Sequence, residues 1–282
     1  MPNRPHHPPK TAWESAFTLI ELLVVIAIIS LLVGLLTPMV MGALDRGRTI
    51  NELALARNLI IGIHNYAGDH GGNILPGYRN DLAMGPDGQP LPFPTSARYP
   101  WRLMPYAGGI DKRIMWADGR GRNTSIHSAD AYAVSLTPTL GMNVFFVGGD
   151  DTGNSGQGIR PTAGNFARFG KFCVTRMDEA YDPSRLVVFA SARMNGSDGK
   201  IIPGYFMVQA PRIAGVIWSG NPFDSSLPPG QHGYVDFRHQ NHALVAHLDG
   251  NVRQLGENEL RDMRRWSNLA ALADDPSHSL GR

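Results

Sequence analysis

Between Leu22 and Val40 the chain carries no formal charge, and only Ser30 and Thr37 are polar. At about 1.5 Å rise per residue such a run spans the ~30 Å hydrocarbon core of a bilayer. Glu21 stands at its amino-terminal edge, inside the apolar sequence that begins at Phe17. A bare charge in a membrane helix costs on the order of 2.5–3.5 kcal/mol at the centre and less near an end. A segment that served only as an anchor has no need of that acid, so Glu21 points to a partner.

Residues 1–16 are polar and Pro-rich, with Arg4 and Lys10 preceding Glu14, and read as a short cytoplasmic leader. A secretory signal peptide is the competing reading, with Gly42-Ala43 as its cleavage site. Its apolar core is normally shorter, roughly 7–15 residues. Charge bias across the span orients it poorly, because Asp45 and Glu52 offset Arg46 and Arg48 beyond it.

After Pro38 a helical pattern resumes. Ile50, Leu53, Ala56, Ile60, Ile63 and Ala67 recur at three- and four-residue intervals and define one face. Arg46, Arg48, Glu52, Arg57 and Asn58 are expected mostly off it. Asp69-His70-Gly71-Gly72 supplies a stop, with two residues suited to positive φ. A helix from Phe17 to about Ala67 is ~75 Å long at 1.5 Å per residue. Its first half suits a membrane core, and its second half suits packing on the rest of the chain.

The remainder holds much of the 32 glycines and 21 prolines, so a turn-rich head is expected. Residues 73–135 show little periodicity beyond a short helix near Trp101-Arg102-Leu103-Met104. Strand-like runs follow at Met142–Val147, Phe172–Thr175, Leu186–Ala190, Tyr205–Gln209 and Gly215–Trp218. Ala243–Leu248 alternates, Asp249-Gly250 is a turn, and Asn251–Leu255 returns. A two-residue turn pairs His247 with Val252 and Leu244 with Leu255. Leu260, Met263, Trp266 and Ala270 suggest a short surface helix, with a frayed tail from about Asp274. The lone Cys173 excludes an intramolecular disulfide and reads as a small buried hydrophobe. A net charge of +2 without a basic cluster gives no sign of nucleic acid.

Ala16-Phe17-Thr18-Leu19-Ile20-Glu21 resembles the processing motif of type IV prepilins and type II secretion pseudopilins. The resemblance implies that a prepilin peptidase cuts between Ala16 and Phe17 and methylates the new amino terminus at Phe17. It also implies that Glu21, fifth in the mature chain, pairs with the amino terminus of a neighbouring subunit. The family usually has Gly before the cut; Ala16 is the next smallest residue. Pro38 falls where pilin helices often carry a proline, and His64 to Gly72 is similar to the end of the pseudopilin helix. His239, separated by nine residues from Asp249-Gly250, resembles a signature of bacterial prepilin-like proteins with oversized heads. Trp101–Tyr106, Gly141-Met142-Asn143 and Asp182-Pro183-Ser184 are similar to landmarks of that group.

Two constellations invite a metal. His232, His239, His242, His247 and Asp249 offer zinc ligands, but not at the spacing of a helical His-Glu-x-x-His site. His239 is read instead as fixing the hairpin by a hydrogen bond. Asp150, Asp151 and Asn154 crowd a Gly-rich loop that suits calcium, as some pseudopilin heads hold it, but the EF-hand order is missing. A solvated turn is the reading taken, and no cofactor is expected. No nucleophile elbow, P-loop or dinucleotide fingerprint is present, so no enzyme is expected. The expected fold is α+β, with a leader at 1–16, a transmembrane and filament helix at 17–70, and a loop-rich antiparallel head at 71–282. The expected function is a pilin or pseudopilin subunit of the bacterial inner membrane, single-pass with its leader cytoplasmic, that joins a pilus or secretion pseudopilus. The alternative is a membrane-anchored binding module that never polymerises.

Overall fold

A computed structural model describes residues 18–109, 115–116, 131–153, 158–213 and 216–280. The chain divides between Gly47 and Arg48 into two compact units. Helix α1, Leu19–Asp69, begins in the first and ends in the second. In the first unit its large apolar side chains from Leu19 to Leu44 are exposed. Ser30 and Thr37 donate their hydroxyls to the carbonyls of Ile26 and Val33, both at 2.7 Å. The two polar groups of the run are thus satisfied within their own helix.

The second unit is built on a four-stranded antiparallel sheet. In chain order come α2 (Tyr99–Leu103), α3 (Ala131–Leu136), β1 (Leu140–Met142) and α4 (Ala163–Phe169). Then follow β2 (Val187–Ser191), β3 (Arg193–Asn195), β4 (Ile201–Pro203), β5 (Arg212–Ile213) and β6 (Val216–Ile217). The carboxyl end supplies β7 (His242–His247), β8 (Val252–Gly256), α5 (Glu257–Leu260) and α6 (Asn268–Leu272). The main sheet has the order β1-β2-β7-β8, and β3-β4 and β5-β6 form two small ribbons. This is a long amino-terminal helix followed by an antiparallel head, an α+β, pilin-like architecture.

Both faces of the sheet are covered, which is why β7 is buried almost throughout. Leu244 and Ala246 face a core shared with Leu55, Ala56, Leu59, Ile60 and Ile63 of α1. Ala243 and Val245 face a second core of Phe237, Trp218, Met263 and Trp266. The period-two alternation of the strand sorts its side chains between the two layers. The end of α1 follows the expected stop: Gly71 and Gly72 have positive φ, and the Gly72 amide donates to the Ala67 carbonyl at 2.7 Å.

Several expectations are corrected. β2, β7 and β8 answer closely to expected strands, and β6 falls within the expected Gly215–Trp218, but other runs do not form strands. The 142–147 run turns after Met142 and meets Val174 through a single bridge at Val147, because Gly148 and Gly149 bend the chain at positive φ. Phe172–Thr175 and Tyr205–Gln209 likewise contribute bridges rather than strands. Leu260, Met263, Trp266 and Ala270 are fully buried, not on a surface helix. The tail is tied down as well, since the Met263 amide donates to the Pro276 carbonyl and Leu280 is buried.

The β7–β8 register is one residue from that expected: His242 pairs with Gly256, Ala243 with Leu255 and Leu244 with Gln254. The loop holds three residues, Leu248 to Gly250, and Gly250 takes φ +93. A three-residue hairpin with a left-handed glycine shifts the ladder by one. That shift decides which layer Leu255 joins, and it joins the Trp266 core. Gly250→Val is therefore expected to destabilise the chain by about 1–3 kcal/mol, because a β-branched residue is strained there. Gly250→Asn is expected to cost much less. Melting curves of the full-length protein in detergent would check this, and equal stability of both variants would contradict it.

Candidate functional site

The motif residues Ala16 and Phe17 lie outside the described residues. The first described turn is informative nonetheless. The Thr18 amide and hydroxyl both donate to Glu21 Oε2 at 2.8 Å, and the Glu21 amide donates to Thr18 Oγ1 at 3.2 Å. This is a reciprocal capping box, in which Thr18 caps the helix and Glu21 occupies its third position. The carboxylate thus has partners within its own chain. The Thr-x-x-Glu spacing that signals such a box is legible in the sequence beside the processing motif. Glu21 is exposed, so its remaining lone pairs are open to a further donor.

A second carboxylate on α1 has the opposite setting. Glu52 is buried, against the expectation that it lies off the packing face. Its Oε1 accepts from Ser191 Oγ at 2.5 Å and Arg238 Nη2 at 2.9 Å. Its Oε2 accepts from Arg238 Nε at 3.1 Å, and His239 Nε2 lies 3.0 Å away. An ionised carboxylate only accepts, so His239 Nε2 carries a proton toward Glu52, and its Nδ1 lies 3.0 Å from the Thr49 hydroxyl. Arg238 spends its other donors on the Ala192 and Thr139 carbonyls and on Asp236. The signal for Glu52 was present: Glu52, Ala56, Ile60 and Ile63 follow the same three- and four-residue spacing as the apolar stripe.

His239 therefore grips α1 through its side chain, not the hairpin as expected. Its backbone does join the hairpin, exchanging hydrogen bonds with His242. Asp249 acts at the other end: its Oδ1 accepts the Asn251 amide at 2.9 Å, and its own amide donates to the Pro183 carbonyl. Beside it, the Leu248 carbonyl lies 2.7 Å from His64 Nε2 on α1. From Glu52 to His64 α1 rises ~18 Å, and β7 spans ~20 Å. The segment between His239 and Asp249 thus carries β7, held to α1 by His239 near its start and by the Leu248 carbonyl just past its end.

The remaining metal candidates are dispersed. His232 contacts the Asn221 carbonyl and Glu257, both at 3.3 Å. His242 Nδ1 lies 2.9 Å from the Gln240 carbonyl, and His247 Nδ1 lies 3.2 Å from the Asn251 carbonyl. Burial pushes the His232 and His247 imidazoles below the ordinary histidine range. Among the described residues no three His, Cys, Asp or Glu side chains are placed to hold a metal ion. In the Gly-rich loop, Asp150 Oδ1 accepts from the Thr152 amide and hydroxyl and the Gly153 amide. Asp151 pairs with Arg79 at 3.3 Å, and Asn154 lies outside the described residues. Ser191 donates to a carboxylate rather than to an imidazole, so it is not activated as a nucleophile.

An exposed apolar helix thus precedes a compact antiparallel head, with a capped glutamate at the start of that helix. Residues 14–37 match the family model described as the prokaryotic N-terminal methylation motif. No curated protein and no solved structure matches the chain. The motif implies processing by a prepilin peptidase. Together with the apolar helix, it indicates a membrane-anchored chain with an extracytoplasmic head.

Burial alone would raise the Glu52 carboxyl, but the Arg238 charge and the His239 and Arg238 hydrogen bonds outweigh it and hold it at about 2. The folded value lies below the ordinary 4.5, so this stability is full above pH 4.5 and is lost as pH falls towards about 2. Glu52→Gln is expected to cost about 3 kcal/mol near neutral pH, with the gap from wild type closing on acidification. Melts of both full-length proteins between neutral pH and pH ~2 would test this. A gap that stays constant would mean that the charge of Glu52 contributes nothing.

Proposed function

We propose that the chain is a structural subunit, cut between Ala16 and Phe17, methylated on Phe17, and assembled into a type IV pilus-like or type II secretion pseudopilus filament. The observation that carries this reading is the methylation motif at residues 14–37 running into a helix whose apolar side chains are exposed through Leu44. An apolar surface of that length needs a membrane or other helices around it. In the bacterial inner membrane the leader 1–16 faces the cytoplasm, residues 17–70 supply the membrane and filament helix, and residues 71–282 form the head outside. Pilin-like proteins are typically structural, and the buried Glu52 cluster suits that role.

Glu21 is the assembly residue in this reading. Its capping box leaves lone pairs free for the amino group of Phe17 in an adjacent helix. In low dielectric that pairing offsets a desolvation cost that neither charge bears well alone. His239, Asp249 and Gly250 are a structural signature that fixes β7 along α1, and no metal takes part.

Amino-terminal sequencing or intact mass of the protein from cells with a prepilin peptidase is expected to give a mature start at Phe17. A start near Ala43 would refute the processing step. Glu21→Gln is expected to leave membrane insertion intact and to reduce recovery in sheared filaments at least tenfold. Wild-type incorporation of that variant would remove Glu21 from assembly, and an intact leader without filament association would favour a non-polymerising anchored module.

A further inference from the structure

We infer that the cavity between the end of α1 and α2 is a binding site for one acidic sugar residue, a hexuronate. The cavity has a volume of about 270 Å³ and is lined by Tyr66, His70, Asp81, Trp101, Arg102 and Tyr106, among others. That is smaller than the usual ~300–1,000 Å³ of drug-sized ligand sites and suits a single sugar ring. All of these residues belong to the head unit.

Its aromatic wall is ordered. The Tyr66 and His70 rings stack at 3.8 Å, and Tyr106 sets its ring edgewise to both at 5.2 Å and 5.8 Å. Tyr66 and Tyr106 are only half-buried, so ring surface remains for the C–H face of a pyranose. Such amphipathic rings offer contact area at little cost in side-chain freedom.

The anionic preference comes from Arg102. Its Nη2 is committed to the Pro76 and Ala97 carbonyls at 2.7 Å and 2.8 Å, and its Nε is sealed from solvent. Among the described residues Nη1 has no hydrogen-bond partner and is not sealed, so it is the donor left to a ligand. No carboxylate lies within 4.0 Å of Arg102 among the described residues, although the side chain is 8% exposed. Burial pushes this guanidinium down to about 10, against the opposing pull of the more distant Asp81 and Asp151 charges, so a bound carboxylate supplies the ion pair at contact distance.

Two further groups set the sugar apart from a flat aromatic acid. The Asp81 carboxylate is exposed, accepts among the described residues only the Leu82 amide at 2.9 Å, and lies 4.0 Å from Arg79. Among the described residues the Tyr66 hydroxyl has no hydrogen-bond partner. Both suit ring hydroxyls. An aromatic carboxylate would leave Asp81 facing no donor.

The test uses the full-length protein in a polyoxyethylene detergent, which carries no sugar headgroup, with D-glucuronate and D-glucose as probes. Calorimetric titration is expected to give saturable glucuronate binding with a Kd on the order of 1 mM. Glucose is expected to bind about tenfold more weakly, for want of the charge-assisted hydrogen bond. Tyr106→Ala is expected to abolish glucuronate binding without a change in fold by circular dichroism. Arg102→Gln is expected to remove the preference for the acid. Should that variant fail to fold, the glucuronate-to-glucose ratio of the wild type still decides the role of Arg102. Absence of saturable glucuronate binding, equal binding of both sugars, or undiminished binding by folded Tyr106→Ala would each overturn the site.

Discussion

The head depends on one buried carboxylate. Glu52 brings a negative charge into the interface between α1 and the sheet and is met there by Arg238, His239 and Ser191. An unpaired charge at that depth would cost several kcal/mol, so the packing of α1 is conditional on the segment 238–239 arriving at the right place. Ser191 joins the two sides, because its hydroxyl donates to Glu52 while accepting the Leu244 amide of β7. Apolar residues alone would have let α1 slide along the sheet with little penalty. The ion cluster supplies a register, and His64 on the Leu248 carbonyl closes the other end of the same strand.

Much of this was legible. The uncharged run from Leu22 to Val40, the two glycines after His70 and the alternation of Ala243 to Leu248 each follow from local sequence, because each feature is satisfied within a few residues of itself. Glu52 was misread although its spacing sets it on the apolar stripe, since a charged residue on a helix is normally read as solvated. Its burial is decided by Arg238 and His239, over 180 residues away in sequence. The hairpin register failed for a smaller reason: Asp-Gly fits both a two-residue turn and the last two positions of a three-residue loop, and only the layer that receives Leu255 separates them. Short strands were mistaken where Gly148 and Gly149 bend a β-rich sequence into single bridges. In such a loop-rich head, long-range contacts outweigh local propensity.

The candidate site was legible in its amino-terminal half and hidden in the other. The processing motif is a string of adjacent residues, so it needs no fold to be recognised. The carboxyl-terminal pattern is also a fixed spacing, but its meaning is geometric. His239 sits at one end of β7 and Asp249 at the other, with a strand's length between them. Reading both as parts of the hairpin placed His239 on the wrong partner. Only the position of α1 shows that the imidazole faces Glu52 and Thr49.

Two glutamates on one helix thus illustrate how environment, not residue type, assigns a role. Glu52 is met by four side-chain bonds, from Ser191, twice from Arg238 and from His239, which matches the roughly four acceptor sites of a carboxylate. It has no capacity left for an outside partner, and its charge is locked to the fold. Among the described residues Glu21 draws on Thr18 alone, and it is exposed beside an apolar surface. Placed among other apolar helices, it would lose its water while keeping unfilled acceptor sites, and such a group stabilises an assembly only where a donor meets it. A carboxylate left open in that setting restricts how neighbouring helices can be arranged, since any stagger that fails to bring a cation to it carries the desolvation cost. The buried acid fixes the order of elements within the head, and in the proposed filament the open one would constrain the order of subunits.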